Sequence, residues 1–398
     1  MKISTTLYGD LNLIPYPPEV PIVERLEWLT DVFVGNDGTE TRTQKRSAPR
    51  QTFEYTIPLV YWKKLDSINT LKGGIRGYWA VPIWTEAQYV GNITGAQTVV
   101  TCDTHSNYFL DENELVFFHS EGSKSYQWGR ILSVSTANIT MNSFLLPQAG
   151  AWLMPMKKAL IIGDVKHITN GGESFVQIKF AIDEPLQIGS DVTNPLQFID
   201  DDIYYFETIC DNRANRKISQ IQDIIDFDLG YIKSLSSHNN SSYIDTLRFI
   251  LDGPAEIREY KEFLFRRIGR LLQFWLPTFE DDIEHVSTGA ITTTLLVKRD
   301  SIDEFMLDRV YICVFTNDGL KHPVEIDSIQ IIDSERAQFN FDSSIGIDAS
   351  EIVKISYLGY NRLDTDSVEL RWIGNGVVES EVTYVETNLF SDPVVIVE

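Results

Sequence analysis

Apolar and polar positions along this 398-residue chain alternate in short runs, and clusters of Gly, Ser and Asn interrupt the runs about every ten positions. Segments 97–103, 114–119, 129–135, 138–145 and 175–182 read as strands. So do 291–298, 309–315, 324–332, 352–357, 368–372 and 382–386. Strands at that spacing predict a mainly β chain of barrel or sandwich type. Near the N-terminus a strand from Val23 meets the turn Gly35-Asn36-Asp37-Gly38, crosses a basic segment at 42–50 and returns to about Pro58. The Asp-Gly step is a hairpin signal, and Asn317-Asp318-Gly319 marks a second turn of that kind.

Two stretches break the alternation. A short helix or an irregular stretch is predicted over 61–71, broken by Gly73, Gly74 and Gly77. A long helical segment is predicted over 243–276, interrupted at Gly253-Pro254. In it Ile257, Tyr260, Leu264, Ile268 and Leu271 recur at three and four, the spacing of a helix that buries one face. Arg258, Lys261, Arg266, Arg267 and Arg270 fall largely on the remaining circumference. They read either as a solvated face or as a charge complement for an acidic neighbour.

A motif also occurs twice. Trp79-Ala80-Val81-Pro82-Ile83-Trp84-Thr85-Glu86 is echoed by Phe274-Trp275-Leu276-Pro277-Thr278-Phe279-Glu280-Asp281. Each copy has an acidic, aromatic strand upstream (26–29 and 204–207) and β segments downstream. An interval of that length exceeds any solenoid repeat and predicts two duplicated β-barrel or β-sandwich modules, the second with the long amphipathic helix inserted. The expected boundaries are a Pro-rich arm at 1–22, a first module at 23–190 and a second at 200–398, with a linker around 185–200. Pro15, Pro17, Pro18 and Pro21 favour an extended arm around Tyr16, either a free terminus or a strap on a neighbouring subunit. Tyr16, Pro17 and Pro18 are therefore candidate inter-subunit contacts beside the five basic residues. The aromatics Trp79, Trp84, Trp275 and Phe279, around Pro82 and Pro277 and ahead of Glu86 and Asp281, suit a core corner. A sugar-stacking platform is the rival reading.

Charge narrows the function. With 34 basic against 57 acidic residues the chain carries a net −23, which repels phosphate backbones and argues against broad nucleic-acid binding. Such acidity also keeps copies soluble and suits the wall of a channel that DNA passes. No apolar run reaches the roughly 18 residues of a membrane span, and the first residues lack a signal peptide's apolar stretch, so synthesis and use in a cytosol are expected. Cys102, Cys210 and Cys313 are far apart and read as buried free thiols.

Catalytic motifs are missing: there is no glycine-rich phosphate loop, no HExxH and no GxSxG. His105, His119, His167, His238, His285 and His322 are scattered singly. Asp183-Glu184 and Asp281-Asp282 could suggest a two-carboxylate glycosidase, but adjacent strand residues point to opposite faces. Asp226-Phe227-Asp228-Leu229-Gly230 resembles the start of a calcium loop but has Ser237 where the twelfth-position acid belongs. No enzyme, cofactor or metal is expected.

Several blocks carry a family resemblance. Pro17-Pro18-Glu19-Val20-Pro21, Glu24-Arg25-Leu26-Glu27-Trp28-Leu29-Thr30-Asp31-Val32, Asp37-Gly38-Thr39-Glu40 and Arg46-Ser47-Ala48-Pro49-Arg50 resemble the opening of tail-tip proteins of long-tailed bacteriophages. Gly269-Arg270, Phe274-Trp275-Leu276-Pro277 with Asp281, and 362–372 resemble the same proteins, while about 185–240 has no counterpart. The resemblance implies a distal tail or baseplate hub protein, a ring between the tail tube and the receptor-binding apparatus. Its partners would be itself, as a hexamer or a pseudo-six-fold trimer, together with tube, hub and fibre proteins. It would be assembled in the host cytoplasm and would work in the virion. The rival expectations are a carbohydrate-binding adhesin of the virion and a tail-associated glycan hydrolase.

Overall fold

The computed structural model describes residues 2–5, 9–35, 39–59, 61–104, 114–120, 126–170, 173–186, 195–206, 215–219, 223–226, 228, 230, 232–235, 242–302, 309–387 and 395–397. Within them the chain is mainly β, with two α-helices.

The first half contains β1 (Lys2–Thr5), β2 (Gly9–Leu13), β3 (Glu19–Glu27), a hairpin of β4 (Thr30–Val34) and β5 (Glu40–Gln44), β6 (Arg50–Pro58), α1 (Tyr61–Gly74) and β7 (Trp79–Pro82). It continues with β8 (Gln88–Ile93), β9 (Val99–Thr101), β10 (Leu115–Ser120), β11 (Tyr126–Ser135), β12 (Asn138–Met141), β13 (Gln148–Ile161), β14 (Lys166–Asn170) and β15 (Glu173–Ile182). The second half contains the short β16 (Gln197–Phe198) and β17 (Asp201–Asp202), then β18 (Asn215–Ser219), a hairpin of β19 (Asp223–Asp226) and β20 (Ile232–Leu235), β21 (Ser242–Asp252), α2 (Pro254–Arg267) and β22 (Phe274–Pro277). After it come β23 (Ala290–Ile291), β24 (Thr294–Lys298), β25 (Tyr311–Thr316), β26 (Lys321–Ile331), β27 (Arg336–Phe341), β28 (Ile347–Asp348), β29 (Ile352–Leu363), β30 (Ser367–Gly374), β31 (Val377–Glu386) and β32 (Val395–Val397).

The order of pairing is the same in both halves. In the first, β3 pairs β6, β6 pairs β15, and β15 pairs β14 and the end of β13. In the second, β18 pairs β21, β21 pairs β31, and β31 pairs β30 and the end of β29. β7 lies on β13 and β22 on β29. The chains of strands β13-β10-β11-β12-β9 and β29-β25-β26-β27-β24 also correspond member by member. One further antiparallel pair, β3 with β30, joins the halves, with Ile22 opposite Trp372 and Leu26 opposite Val368. The result is one continuous run of eight antiparallel strands, β14-β15-β6-β3-β30-β31-β21-β18.

Burial follows that run. Leu26, Phe53, Tyr55, Trp79 and Phe180 from the first half share one core with Phe249, Tyr260, Phe263, Phe274, Leu370 and Tyr384 from the second. The segments 23–190 and 200–398 thus pack around a common interior, and separate cores sit under β9–β12 and β24–β27. Alternation along the short strands divides the layers: Trp79 and Val81 enter the shared core while Ala80 enters a satellite one, and Phe274 and Leu276 do the same while Trp275 enters another.

Three expectations are corrected. Helix does not run over 243–276: 242–252 is strand β21, with Leu247, Phe249 and Leu251 buried at every second position, and helix occupies only Pro254–Arg267. Gly253-Pro254 starts that helix, with Pro at its first turn, where a missing N–H costs nothing. It ends at Ile268 in the left-handed conformation, followed by Gly269 at φ +63°. α1 has the same length and lies in the same place between β6 and β7, so the second half has no extra helix. Finally, the 1–22 segment is not an arm standing off the body. β2 pairs β1 and runs parallel to β7, and Ile3, Leu11, Leu13 and Ile14 are buried. The turn 36–38, His105, Cys210, His238 and much of the 185–200 linker lie outside the described residues.

Candidate functional site

The seam between the halves brings Lys261 and Arg270 against residues of the first half. Lys261 on α2 is buried, and its Nζ lies 3.0 Å from Glu24 Oε2 on β3 and 3.5 Å from Glu86 Oε1. Glu24 also accepts hydrogen bonds from Gln51 (2.7 Å) and from the Trp372 indole on β30 (3.0 Å). A buried charge is tolerated where partners saturate it, as here. Burial pushes the Glu86 carboxyl upward and Glu24 adds to this, outweighing the opposing pull of Lys261. Burial alone would lower the Lys261 ammonium, but the two carboxylates outweigh it and hold it above its ordinary value.

The other basic residues are also met inside the chain. Arg258 pairs Glu262 one turn on, at 2.9 Å. Arg266 reaches Asp202 at 2.6 Å, and Arg267 lies 3.3 Å from both Asp201 and Asp202. Arg270 donates its backbone N–H to Asp366 (2.9 Å) and its guanidinium to the Thr30 carbonyl (2.8 Å). All five therefore have partners within the chain.

Arg270 belongs to a clasp. The hairpin β4–β5 of the first half reaches over the loop after α2 and the turn after β29. Trp28 and Thr30 donate backbone N–H groups to the carbonyl (2.8 Å) and carboxylate (2.7 Å) of Asp366. Arg42 donates to the Leu271 carbonyl (3.1 Å), and Arg362 grips Glu40 through two 2.8 Å bonds. Burial works to raise the Glu40 carboxyl, but Arg362 and then Arg42 outweigh it and hold it below its ordinary value. Trp28 meets Phe265 edge to face at 5.8 Å. Gly269 is required here: a Cβ would overlap the Asp366 carboxylate and come within 3.0 Å of Trp28.

The repeated motif forms core corners. Trp79 is fully buried and donates to the Gly74 carbonyl at 3.1 Å; Trp275 is buried and donates to Phe198 at 2.8 Å. Pro82 lies opposite Met156 and Pro277 opposite Leu358. Phe279, at φ +60°, packs on the core, and Asp281 accepts the Ile355 N–H at 3.1 Å. Trp84 is half-buried beside Phe117 and His119. It forms the wall of a groove of ≈ 380 Å³ that Pro17, Pro18, Trp152, Trp372 and Asn375 also line. Tyr16 packs on the shared core of its own chain.

The paired carboxylates are structural. Asp183 pairs Lys158 at 2.6 Å and Glu184 pairs Lys157 at 3.4 Å, while Asp282 accepts the Tyr357 N–H at 2.9 Å. Cys102 and Cys313 are buried free thiols, pushed by burial to about 11 and about 12. Among the described residues no group of three His, Cys, Asp or Glu could hold a metal ion, and no helix is long and apolar enough to cross a membrane.

Sequence reasoning missed the strand edges. β14 pairs only β15 and β18 pairs only β21 among the described residues, which leaves both outer edges of the eight-strand run open. Ile168 on β14 and Ile218 on β18 are 44% and 63% exposed. Open edges with exposed apolar side chains are templates for further strands. The chain matches no protein-family model and no curated protein.

Proposed function

We propose that this chain is a structural subunit of a bacteriophage tail tip, two duplicated β-sandwich modules that close with further copies into a ring between the tail tube and the receptor-binding apparatus. One observation carries the reading. The seam joins β3, the first strand of one four-strand unit, to β30, the last strand of the next. That contact is head-to-tail, so the chain ends in a first-type edge, β18, and a last-type edge, β14, which are complementary in the same sense. Heterologous contacts of this kind generate rings when the rotation closes.

Three copies give six units, and eight strands in each of three copies make 24 in one closed sheet. This favours the pseudo-six-fold trimer over the hexamer, because one of every two seams is already made inside the chain. The repeated pairing order and the matching layers of β7 and β22 support duplication. The resemblance of the sequence blocks supports the tail. In this reading the chain carries no catalytic step, assembles in the host cytoplasm, and contacts tube protein on one side and hub or fibre proteins on the other.

The test is a cross-link. Copies carrying Ile168→Cys and copies carrying Ile218→Cys, in a Cys210→Ser background, are mixed and treated with a short bis-maleimide. Adducts between copies support the ring; none at concentrations that give assemblies sinks the strand-edge seam. The groove beside Trp84 and Trp152 favours a second reading, a glycan-binding adhesin, which tryptophan fluorescence titration with oligosaccharides would detect.

A further inference from the structure

The hairpin β4–β5 projects between β3 and β6 and closes the seam by gripping Arg270, Leu271, Arg362 and Asp366 of the other half. The hairpin β19–β20 projects between β18 and β21, the corresponding place in the second half. We propose that β19–β20 is a docking arm for a second copy of this chain, received by the α1–β7 loop and the β13–β14 turn of that copy's first half. The proposal rests on the ring reading and adds the surface that locks each joint.

The arm has the character of a surface that another molecule covers. Among the described residues its two strands pair only each other. On these short strands Ile224 and Ile232 are 62% and 68% exposed, and Ile225 stands out as well. Exposed apolar clusters on a small projecting hairpin mark an interaction site, and a two-stranded hairpin is only marginally stable by itself.

The receiver is found by position. The grip of β4–β5 falls on the loop between α2 and β22 and on the turn between β29 and β30. The counterparts in the first half are the loop between α1 and β7 and the turn between β13 and β14. There Ile75 and Tyr78 are 42% and 40% exposed, and Arg76 in the loop and Asp164 in the turn are exposed as well. Among the described residues Arg76 and Asp164 make no ion pair, whereas Arg270 and Asp366 are consumed by the clasp. The arm offers Asp226, Asp228 and Lys233, all exposed, against the exposed Arg76 and Asp164 of the receiver. Receiver and β14 lie in one half, arm and β18 in the other, so the seam that joins two edges also brings arm to receiver.

The experiment uses full-length chains in a Cys210→Ser background. Copies with Ile232→Cys are mixed with copies carrying Arg76→Cys, and a short bis-maleimide is added to assemblies of verified mass. The expected result is an inter-copy adduct, together with a rise of at least tenfold in the assembly Kd for Ile224→Asp, whose melting temperature shows that the chain still folds. Ring-sized assemblies without the arm adduct, and with the Ile224→Asp Kd within twofold, overturn the docking arm and leave the ring standing. If the Ile168→Cys and Ile218→Cys cross-link and the assembly mass are both negative, the ring reading fails and the arm fails with it.

Discussion

Replacing Lys261 by Met should weaken the seam more than any substitution on the surface of α2. The ammonium stands 3.0 Å from Glu24 and 3.5 Å from Glu86, with neither partner well solvated. At an effective dielectric constant near 20 each contact is worth about 5 kcal/mol of gross attraction, most of which the desolvation of three groups cancels. The intact cluster is therefore close to neutral for stability. Removing the cation alone is not, because two carboxylates then stay buried without compensation, at a cost of about 3–5 kcal/mol. Protonating one carboxylate relieves that cost, so the loss should be largest at pH 7 and smaller at pH 5. Methionine fills nearly the same volume, which keeps a cavity from confusing the result. Urea unfolding followed by tryptophan emission is the assay, since Trp372 lies 5.2 Å from the ammonium. The triple variant Glu24→Gln, Glu86→Gln, Lys261→Met should recover most of the loss. A Lys261→Met chain within 1 kcal/mol of wild type at pH 7 would refute the claim that this cluster is buried and mutually compensated.

Other outcomes follow from single features. Gly269→Ala should cost roughly 3 kcal/mol, from left-handed strain at φ +63° and displacement of the Asp366 carboxylate; an unchanged denaturation midpoint would contradict it. The Glu86 carboxyl is raised above its ordinary 4.5, so its contribution is full below that pH and fades as pH rises through the raised value. Stability of Glu86→Gln should therefore gain on wild type as pH rises from about 4.5 and then level off, and equal pH slopes would count against the buried carboxyl. Deleting residues 1–14 removes four buried apolar side chains, Ile3, Leu11, Leu13 and Ile14, each worth about 1.5–3 kcal/mol before chain entropy is subtracted. The melting temperature should fall by several degrees, whereas a detachable arm would leave it unchanged.

Local periodicity made much of this fold legible. The alternation over 175–182 is β15, the stretch at 61–71 that reads as helix or irregular is α1, and the aromatic-Pro motif gives two four-residue strands with every residue buried. The strand β21 reads as helix from the sequence because its apolar residues run directly into those of α2, and Gly253-Pro254 reads as a break within one helix although it begins another element. Along the N-terminus the prolines masked Leu11 and Leu13, two positions apart on one face of β2. Contacts between distant residues could not be read at all. Asp202 lies 64 residues from Arg266, Glu86 lies 175 from Lys261 and Thr30 lies 240 from Arg270, so the partners of these basic residues cannot be read from a helical wheel. Nor does sequence mark an open strand edge, because what opens β14 and β18 is the order of the sheet.

The central claim is that complementary edges close copies of this chain into a ring, and the mass of the purified assembly tests it most directly. Native mass spectrometry should give three times 45.4 kDa, about 136 kDa, as the dominant species. A monodisperse 45.4 kDa monomer at micromolar concentration would contradict it.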